Sequence, residues 1–203
     1  QVACHAVDVR LNTTATPESV AAMNPDAVLA AIGSNPLVPP IPGLADAPYV
    51  LGVDAYAAPE QLGQNVIVIG GGLVGAETAI YLADHGHDVT VIEMRDTIAK
   101  DANIHHGTAV REQIENKVTA LTETKCVAIS ADSVTVEDTA GNRSVLHADS
   151  IVLSTGLKAK AEAAEAFRGC ARDFIRIGDC CKVGRVQTCI HTAYHAAMML
   201  GYY

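Results

Sequence analysis

Three glycines of this sequence, Gly70, Gly72 and Gly75, have the spacing of a loop that binds phosphate groups. The pattern alone is weak, but an apolar run at 66–69 precedes it and a helical pattern follows it, as in the dinucleotide-binding fingerprint. The first glycine permits a tight turn, the second lets the backbone approach a pyrophosphate, and the third lets the helix pack closely on the strand. Unpaired N–H groups at the helix start then face the phosphates. The predicted cofactor-binding loop is Gly70, Gly71, Gly72, Leu73, Val74 and Gly75, the alternative being a tight turn without a ligand.

An acid ends the next predicted strand, since Glu93 follows the apolar run 89–92. Its distance from the glycines is close to the roughly 20 residues of the fingerprint. A carboxylate at this position accepts hydrogen bonds from ribose hydroxyls and repels the 2′-phosphate of NADP, which favours NAD(H). Arg95 could instead meet that phosphate, so NADP stays the less favoured cofactor. The other interpretation of Glu93 is a solvated strand end.

The segments around this loop alternate between strand and helix patterns, which indicates an α/β fold with a parallel sheet covered by helices on both faces. A short strand is also predicted at 7–11, a helix start at Thr16, and an antiparallel meander over about 125–147 with a turn at Ala140–Asn142. Strand 27–32 is expected to be buried on both faces. The other predicted strands are 66–69, 89–92, 151–156 and 174–179, and the helices are 76–85, 103–116 and 188–200.

Composition excludes several classes of function. The 23 acidic residues outnumber the 14 basic ones, and the net charge of −9 argues against nucleic-acid binding. Aromatic residues make up only 4%, so base-stacking platforms are also disfavoured. The apolar runs are too interrupted for a membrane span. The scattered cysteines and the absence of a leader predict a cytoplasmic protein with free thiols.

The cysteines also bear on metal binding. They stand at positions 4, 126, 170, 180, 181 and 189, with His191 and His195 near the last group. These spacings match no standard zinc or iron–sulfur pattern, so we predict no metal site. The sequence begins at Gln1 without a Met, which we interpret as a piece of a longer protein.

Three segments carry a resemblance to a known family: NPDAVLAAIGSNPLVPPIPG, NVIVIGGGLVGAETAIYLADHGHDVTVIE and IRIGDCCKVGRV. They resemble the C-terminal region of NADH:flavin oxidoreductases of the 2,4-dienoyl-CoA reductase and 2-enoate reductase type. That family belongs to the flavoproteins with two dinucleotide-binding domains, and the resemblance covers nearly the whole chain. It implies a Rossmann-like NAD(P)H-binding domain, residues 64–155, inserted into a partial FAD-binding domain made of residues 1–63, with a proline-rich crossover, and residues 156–203.

The resemblance also implies roles for four residues outside the loop. Gly33 would pass near FAD and Gly156 near the bound nicotinamide nucleotide, because both match the ends of the family's Ala-Thr-Gly segments. Asp179 would hold the ribityl chain of the flavin, and Glu77 would reach the nicotinamide carboxamide. Ile32 departs from the family pattern, in which Thr is usual.

The function expected is the NADH-binding region of a flavin-dependent oxidoreductase that passes hydride from NADH to FAD. The whole enzyme would reduce activated C=C bonds. No catalytic side chain is nominated, because the cofactors carry the chemistry. A pyridine-nucleotide-disulfide-type reductase, an NADH oxidase and a non-catalytic nucleotide-binding module remain alternatives.

Parts of such an enzyme are not in this sequence. The FAD glycine fingerprint, the barrel for FMN and the cysteine cluster for an iron–sulfur centre are implied by resemblance only and would lie outside it. The expected partners are therefore NADH and the rest of the same polypeptide. The isolated chain is expected to be inactive and to hold FAD poorly. Exposed strand edges can pair with a second copy of the chain, so a homo-oligomer is compatible with this interpretation.

Overall fold

The computed structural model of the protein describes residues 7–201. They divide into two compact units. The central unit is Pro36–Leu157, and the flanking unit joins the residues up to Asn35 with those from Lys158 onward. Cys4 lies outside the described residues, as does the end of the chain at 202–203.

The strands of the described chain are β1 (Ala27–Ala30), β2 (Ser34–Pro36), β3 (Val50–Leu51), β4 (Asn65–Ile69), β5 (Asp88–Ile92), β6 (Thr119–Leu121), β7 (Thr124–Ile129), β8 (Ser133–Asp138), β9 (Arg143–His147), β10 (Ser150–Leu153), β11 (Leu157–Ala159) and β12 (Asp173–Arg176). The helices are α1 (Pro17–Ala21), α2 (Gly52–Ala57), α3 (Leu73–Asp84), α4 (Ile104–Lys117), α5 (Ala161–Glu165) and α6 (Val186–Met199). Two short strands, β2 and β11, pair with each other where the chain passes between the units.

The central unit is built on a parallel sheet with the strand order β3-β10-β4-β5-β6. Val68 of β4 pairs with Val152 on one side and Val91 on the other. All neighbours in this sheet run parallel, so the carboxyl ends of β4, β5 and β10 lie at one edge. The predicted α/β fold of the dinucleotide-binding type is confirmed.

One face of the sheet is covered by helices. Side chains alternate along a strand, so Val66 and Val68 share one face. Small residues of α3, among them Ala76 and Ala79, pack against that face together with Val110 and others of α4. Helix α3 ends before Gly86, which has a φ of +92° and supplies the left-handed position that commonly stops a helix.

The other face is covered by the antiparallel meander β7-β8-β9, whose prediction is confirmed. Ile67 and Ile69 contact a second core with Val134 and Val136 of β8. The prediction of helices on both faces is therefore wrong. The alternating apolar residues of the meander supply the second cover, so no helix is needed there.

The proline-rich crossover packs as part of the central unit. Leu44 is only 2% exposed and belongs to the core on the meander side, while Ala55 of α2 belongs to the core on the helix side. Tyr56 stacks on Tyr81 of α3, with ring centroids 4.5 Å apart. This compact unit begins at Pro36, earlier than the boundary at 64 drawn from the sequence. Proline density excludes helix from a segment but does not prevent its apolar residues from packing.

The flanking unit has a small core. Strands β1 and β12 pair in parallel, Ala30 opposite Arg176, and Ala30 packs with Ala164 and Cys180. The expectation that strand 27–32 is buried on both faces is wrong, because Leu29 remains 38% exposed. Within residues 7–201, β12 is the only strand paired with β1, so the other edge of β1 has no neighbouring strand.

The first described residues differ from their prediction as well. Residues 7–11 form no strand, and Leu11 is 78% exposed. The predicted helix start is confirmed: the Thr16 Oγ1 accepts the Ser19 N–H at 3.2 Å, and the Ser19 Oγ accepts the Thr16 N–H at 2.9 Å. This reciprocal capping box fixes the start of α1.

In the described range 7–201, none of the helices is long and apolar enough to cross a lipid bilayer.

Leu44→Ala tests whether the crossover is part of the central core. Removing this buried side chain leaves a cavity, so we expect the free energy of unfolding to fall by about 2–5 kcal/mol. Leu37→Ala, at a position 41% exposed in the same segment, is the control and should cost less than about 1 kcal/mol. Equal effects in urea unfolding would show that Leu44 does not pack in the core.

The buried thiol of Cys126 leads us to expect a loss of folding stability at alkaline pH. Burial raises the pKa of its thiol to about 11, above the ordinary value of 9.0. The folded state therefore holds this proton more tightly than the unfolded state, and the resulting stability is complete below pH 9 and lost as the pH rises towards 11. The free energy of unfolding should fall less steeply over this range in Cys126→Ala. Identical slopes would contradict the prediction.

Candidate functional site

The glycines at the ends of the loop allow β4, α3 and β10 to approach one another. Gly70 follows β4 with a φ of +106°, and a Cβ there would collide with the backbone of Ser154 after β10. A Cβ at Gly75 would overlap the carbonyl oxygen of Gly70. Side chains at these two positions would push the helix away from the sheet, so the close helix–strand packing of the fingerprint requires glycine at both.

Gly72 differs from its neighbours because it faces open space. A Cβ added there would meet no atom of the described chain within 4 Å. Gly72 is the N-cap of α3, and none of the described side chains hydrogen-bonds to cap this helix. Leu73 and Val74 form its first turn, and Val74 is 53% exposed. An open approach to an uncapped helix start, where the helix dipole is positive, fits the pyrophosphate of a dinucleotide.

Gly71 is needed for packing. A Cβ there would lie 2.6 Å from the Cδ1 of Ile98 and 2.8 Å from the Cβ of Glu93. Its carbonyl accepts the Ala99 N–H at 2.8 Å, and its own N–H is donated to Glu93. Both backbone groups of Gly71 therefore hold the loop to the segment that follows β5.

Glu93 is a buried carboxylate at the end of β5, only 7% exposed. Its Oε2 accepts the Gly71 N–H at 2.8 Å, and its Oε1 accepts the Arg95 N–H at 2.9 Å. The interpretation as a solvated strand end is wrong. The Arg95 Nε also donates to Oε1, at 3.4 Å. A carboxylate has about four acceptor sites, so these three bonds leave about one, on Oε2, for a ribose hydroxyl.

Arg95 lies against two carboxylates. Its Nε is 3.4 Å from the Oε1 of Glu93, and its Nη1 donates to the Oδ2 of Asp101 at 2.5 Å. The hydrogen bond that Arg95 donates to Asp101 is the main cause that raises the pKa of Arg95. The sequence suggests Arg95 as a phosphate contact, but no local sequence pattern indicates that Asp101 lies beside it.

Glu77 of α3 pairs with a residue of the neighbouring helix. Its Oε1 lies 3.1 Å from the Nε2 of His106 on α4, and both side chains are partly exposed. The sequence gives no sign that His106 is a partner of Glu77, because the contact arises from the packing of α3 against α4. No spacing within either helix could have shown it.

The segment after β10 reaches the same sheet edge as the glycine loop and Glu93. Gly156 has a φ of +107°, and a Cβ there would meet nothing within 4 Å among residues 7–201. The Thr155 Oγ1 donates to the Leu37 carbonyl at 2.6 Å, which ties this turn to the crossover. The Ser154 Oγ is buried beside Gly52 and has no hydrogen-bond partner in the described part of the chain.

Two predicted flavin residues lie in the flanking unit. Gly33 has a φ of +74°, and a Cβ there would be free of contacts within 4 Å in the described structure. Asp179 follows β12 and accepts the hydroxyl of Ser34 at 3.3 Å and the N–H of Gly184 at 3.1 Å. Their contact with a flavin stays a prediction.

Across residues 7–201, no group of three or more His, Cys, Asp or Glu side chains is arranged to hold a metal ion.

Residues 3–189 match a protein family described as pyridine nucleotide-disulphide oxidoreductase. A bilirubin reductase of Mediterraneibacter gnavus is 37% identical over 96% of this chain, and a cinnamate reductase of Clostridium sporogenes is 31% identical over 94%. The solved 2-naphthoyl-CoA reductase, in complex with 2-naphthoyl-CoA, superposes with a TM-score of 0.88 at 29% identity over 96% of the chain.

The chain spans only part of each of these proteins. It covers 30% of the bilirubin reductase, 29% of the cinnamate reductase and 30% of the naphthoyl-CoA reductase. The similarity therefore bears on this region and its dinucleotide-binding fold.

Glu93→Gln tests the loop anchor in the absence of any nucleotide. The carboxylate accepts two N–H groups, whereas an amide would turn an NH2 group towards one of them. Because the site is buried, we expect a loss of about 1–3 kcal/mol in the free energy of unfolding. Glu112→Gln, on the exposed side of α4, is the matched control and should change little. A fully stable Glu93→Gln protein would refute the anchoring role.

Proposed function

We propose that the loop Gly70–Gly75 binds the pyrophosphate of NADH. The chain belongs to the pyridine nucleotide-disulphide oxidoreductase family, which is consistent with this ligand. The observation that carries the proposal is the open space at Gly72, at the uncapped start of α3. A phosphate there meets backbone N–H groups and the positive end of the helix dipole. The glycine lets it approach without displacing any side chain.

Glu93 is proposed to receive the adenine ribose. It lies at the carboxyl end of β5, next to β4, which is where doubly wound sheets bind nucleotides. Its remaining acceptor capacity, on Oε2, suits a ribose hydroxyl. A 2′-phosphate would bring negative charge to a buried carboxylate, so NADH is the expected cofactor and NADPH the weaker one.

The nicotinamide half is proposed to extend towards Glu77 and Gly156. When bound, NADH supplies a hydride for transfer to FAD. Glu77 would orient the carboxamide, and Gly156 would leave room for the nucleotide, since a Cβ at this position would point into open space. Gly33 and Asp179 are the proposed FAD contacts in the flanking unit. No side chain of the described region is assigned to a proton transfer.

The whole protein is proposed to be a flavin-dependent reductase of activated C=C bonds, of the enoate or enoyl-CoA type. The similarity to a cinnamate reductase and to a 2-naphthoyl-CoA reductase supports this choice. This chain covers under a third of those relatives, so FMN, an iron–sulfur cluster and the acceptor site would belong to the rest of the polypeptide. An NADH oxidase or a disulfide reductase would use the same nucleotide site with another acceptor.

Gly72→Val tests the proposed site directly. The valine side chain would fill the space above the helix start, so we expect NADH binding to fall below detection in calorimetry. The fold should persist, because nothing within 4 Å opposes the new Cβ.

Gly169→Val is the matched control for this experiment. Gly169, in the flanking unit, also faces open space with no atom within 4 Å in the described structure. NADH should bind this control as tightly as it binds the unmodified chain. NADH binding by Gly72→Val at the unmodified affinity would refute the site.

A further inference from the structure

The guanidinium of Arg95, next to the proposed nucleotide site, contacts two carboxylates. The Arg95 Nη1 donates to Asp101 at 2.5 Å, and the Arg95 Nε lies 3.4 Å from Glu93. The backbone N–H of Arg95 also donates to Glu93. One guanidinium is thus shared between two carboxylates, one buried and one 84% exposed.

A guanidinium at this place has an obvious alternative use. In dinucleotide-binding folds, an arginine near the end of the second strand accommodates the 2′-phosphate of NADP. Arginine forms bidentate hydrogen bonds with phosphate oxygens, which makes it the preferred residue for this contact. Arg95 is two residues beyond Glu93 and partly exposed, and its side chain is directed by hydrogen bonds to Glu93 and Asp101.

We propose that Asp101 is a positioning residue that holds Arg95 away from the 2′ position of the adenine ribose and thereby disfavours NADPH. This inference rests on the proposed nucleotide site. Cofactor choice then depends on two acids: Glu93 occupies the ribose end of the site, and Asp101 engages the cation that could otherwise compensate for a phosphate. With Arg95 neutralised in this way, the three side chains together carry a net negative charge that opposes a further phosphate.

The exposure of Asp101 makes it a clean site for a test. An ion pair with one exposed partner contributes little to folding stability. Asp101→Asn should therefore fold normally and leave Glu93, the loop and α3 intact. It would leave Arg95 with a weaker partner and free the guanidinium to rotate towards the ribose.

The experiment compares the dissociation constants of NADH and NADPH by calorimetry, for the unmodified chain and for Asp101→Asn. The unmodified chain should bind NADH more tightly. In Asp101→Asn we expect NADPH affinity to rise by about 3- to 10-fold, the range of one ordinary net hydrogen bond, because the contact is partly exposed to solvent. NADH affinity should change by less than about 2-fold, because NADH carries no group for the freed cation. The pair 2′,5′-ADP and 5′-AMP should show the same contrast.

Loss of one negative charge could by itself favour the more anionic nucleotide. The matched control is therefore the same substitution in an Arg95→Met background. The charge change is identical there, but no guanidinium is available, so the gain in NADPH affinity should disappear. A gain of equal size in both backgrounds would overturn the positioning role.

Two further outcomes separate the inference from the function on which it rests. If Asp101→Asn binds NADH normally and NADPH affinity is unchanged, the role of Asp101 is refuted and the nucleotide site stands. If the unmodified chain binds neither nucleotide, the proposed function itself fails, and this inference fails with it.

Discussion

The carboxylate of Glu93 joins the end of one strand to the loop that follows its neighbour. It accepts the Gly71 N–H at 2.8 Å while almost fully buried. Moving the loop away would break this bond and leave a buried carboxylate without one of its hydrogen-bond donors, which is costly. The same group is the one proposed to receive the adenine ribose. Under that proposal, loop geometry and nucleotide recognition depend on one side chain, and any change of Glu93 should affect both.

This arrangement needs a rigid support, which the parallel sheet supplies. Strands β4 and β5 lie side by side, and their two faces are closed by different means, α3 and α4 on one face and the meander on the other. The crossover residue Leu44 completes the second core. The loop thus projects from strands that are fixed on both faces, and among the four glycines of the loop Gly72 is the one at which an added Cβ would meet nothing within 4 Å. Rigid surroundings and one open position are what close approach of a pyrophosphate requires.

Local sequence patterns predicted the elements that carry the site, because β4, α3 and β5 each combine a clear period with a glycine or cap signal. They failed where the outcome depends on distant residues. The strand expected at 7–11 has alternating residues but is exposed, and the helices expected on both faces give way to the meander. The pairs Glu77 with His106 and Arg95 with Asp101 arise from tertiary packing and chain direction, which spacing does not encode. Glu93 itself was found by spacing, but its bond to Gly71 was not.

The most direct test of the account is a crystal structure of the chain with bound NADH. We predict that the pyrophosphate lies over Gly72 at the start of α3, with a ribose hydroxyl within hydrogen-bond distance of Glu93. The Gly71 N–H should keep its bond to the same carboxylate. Ordered NADH elsewhere on the molecule, with no contact to Gly70–Gly75 or to Glu93, would contradict the account.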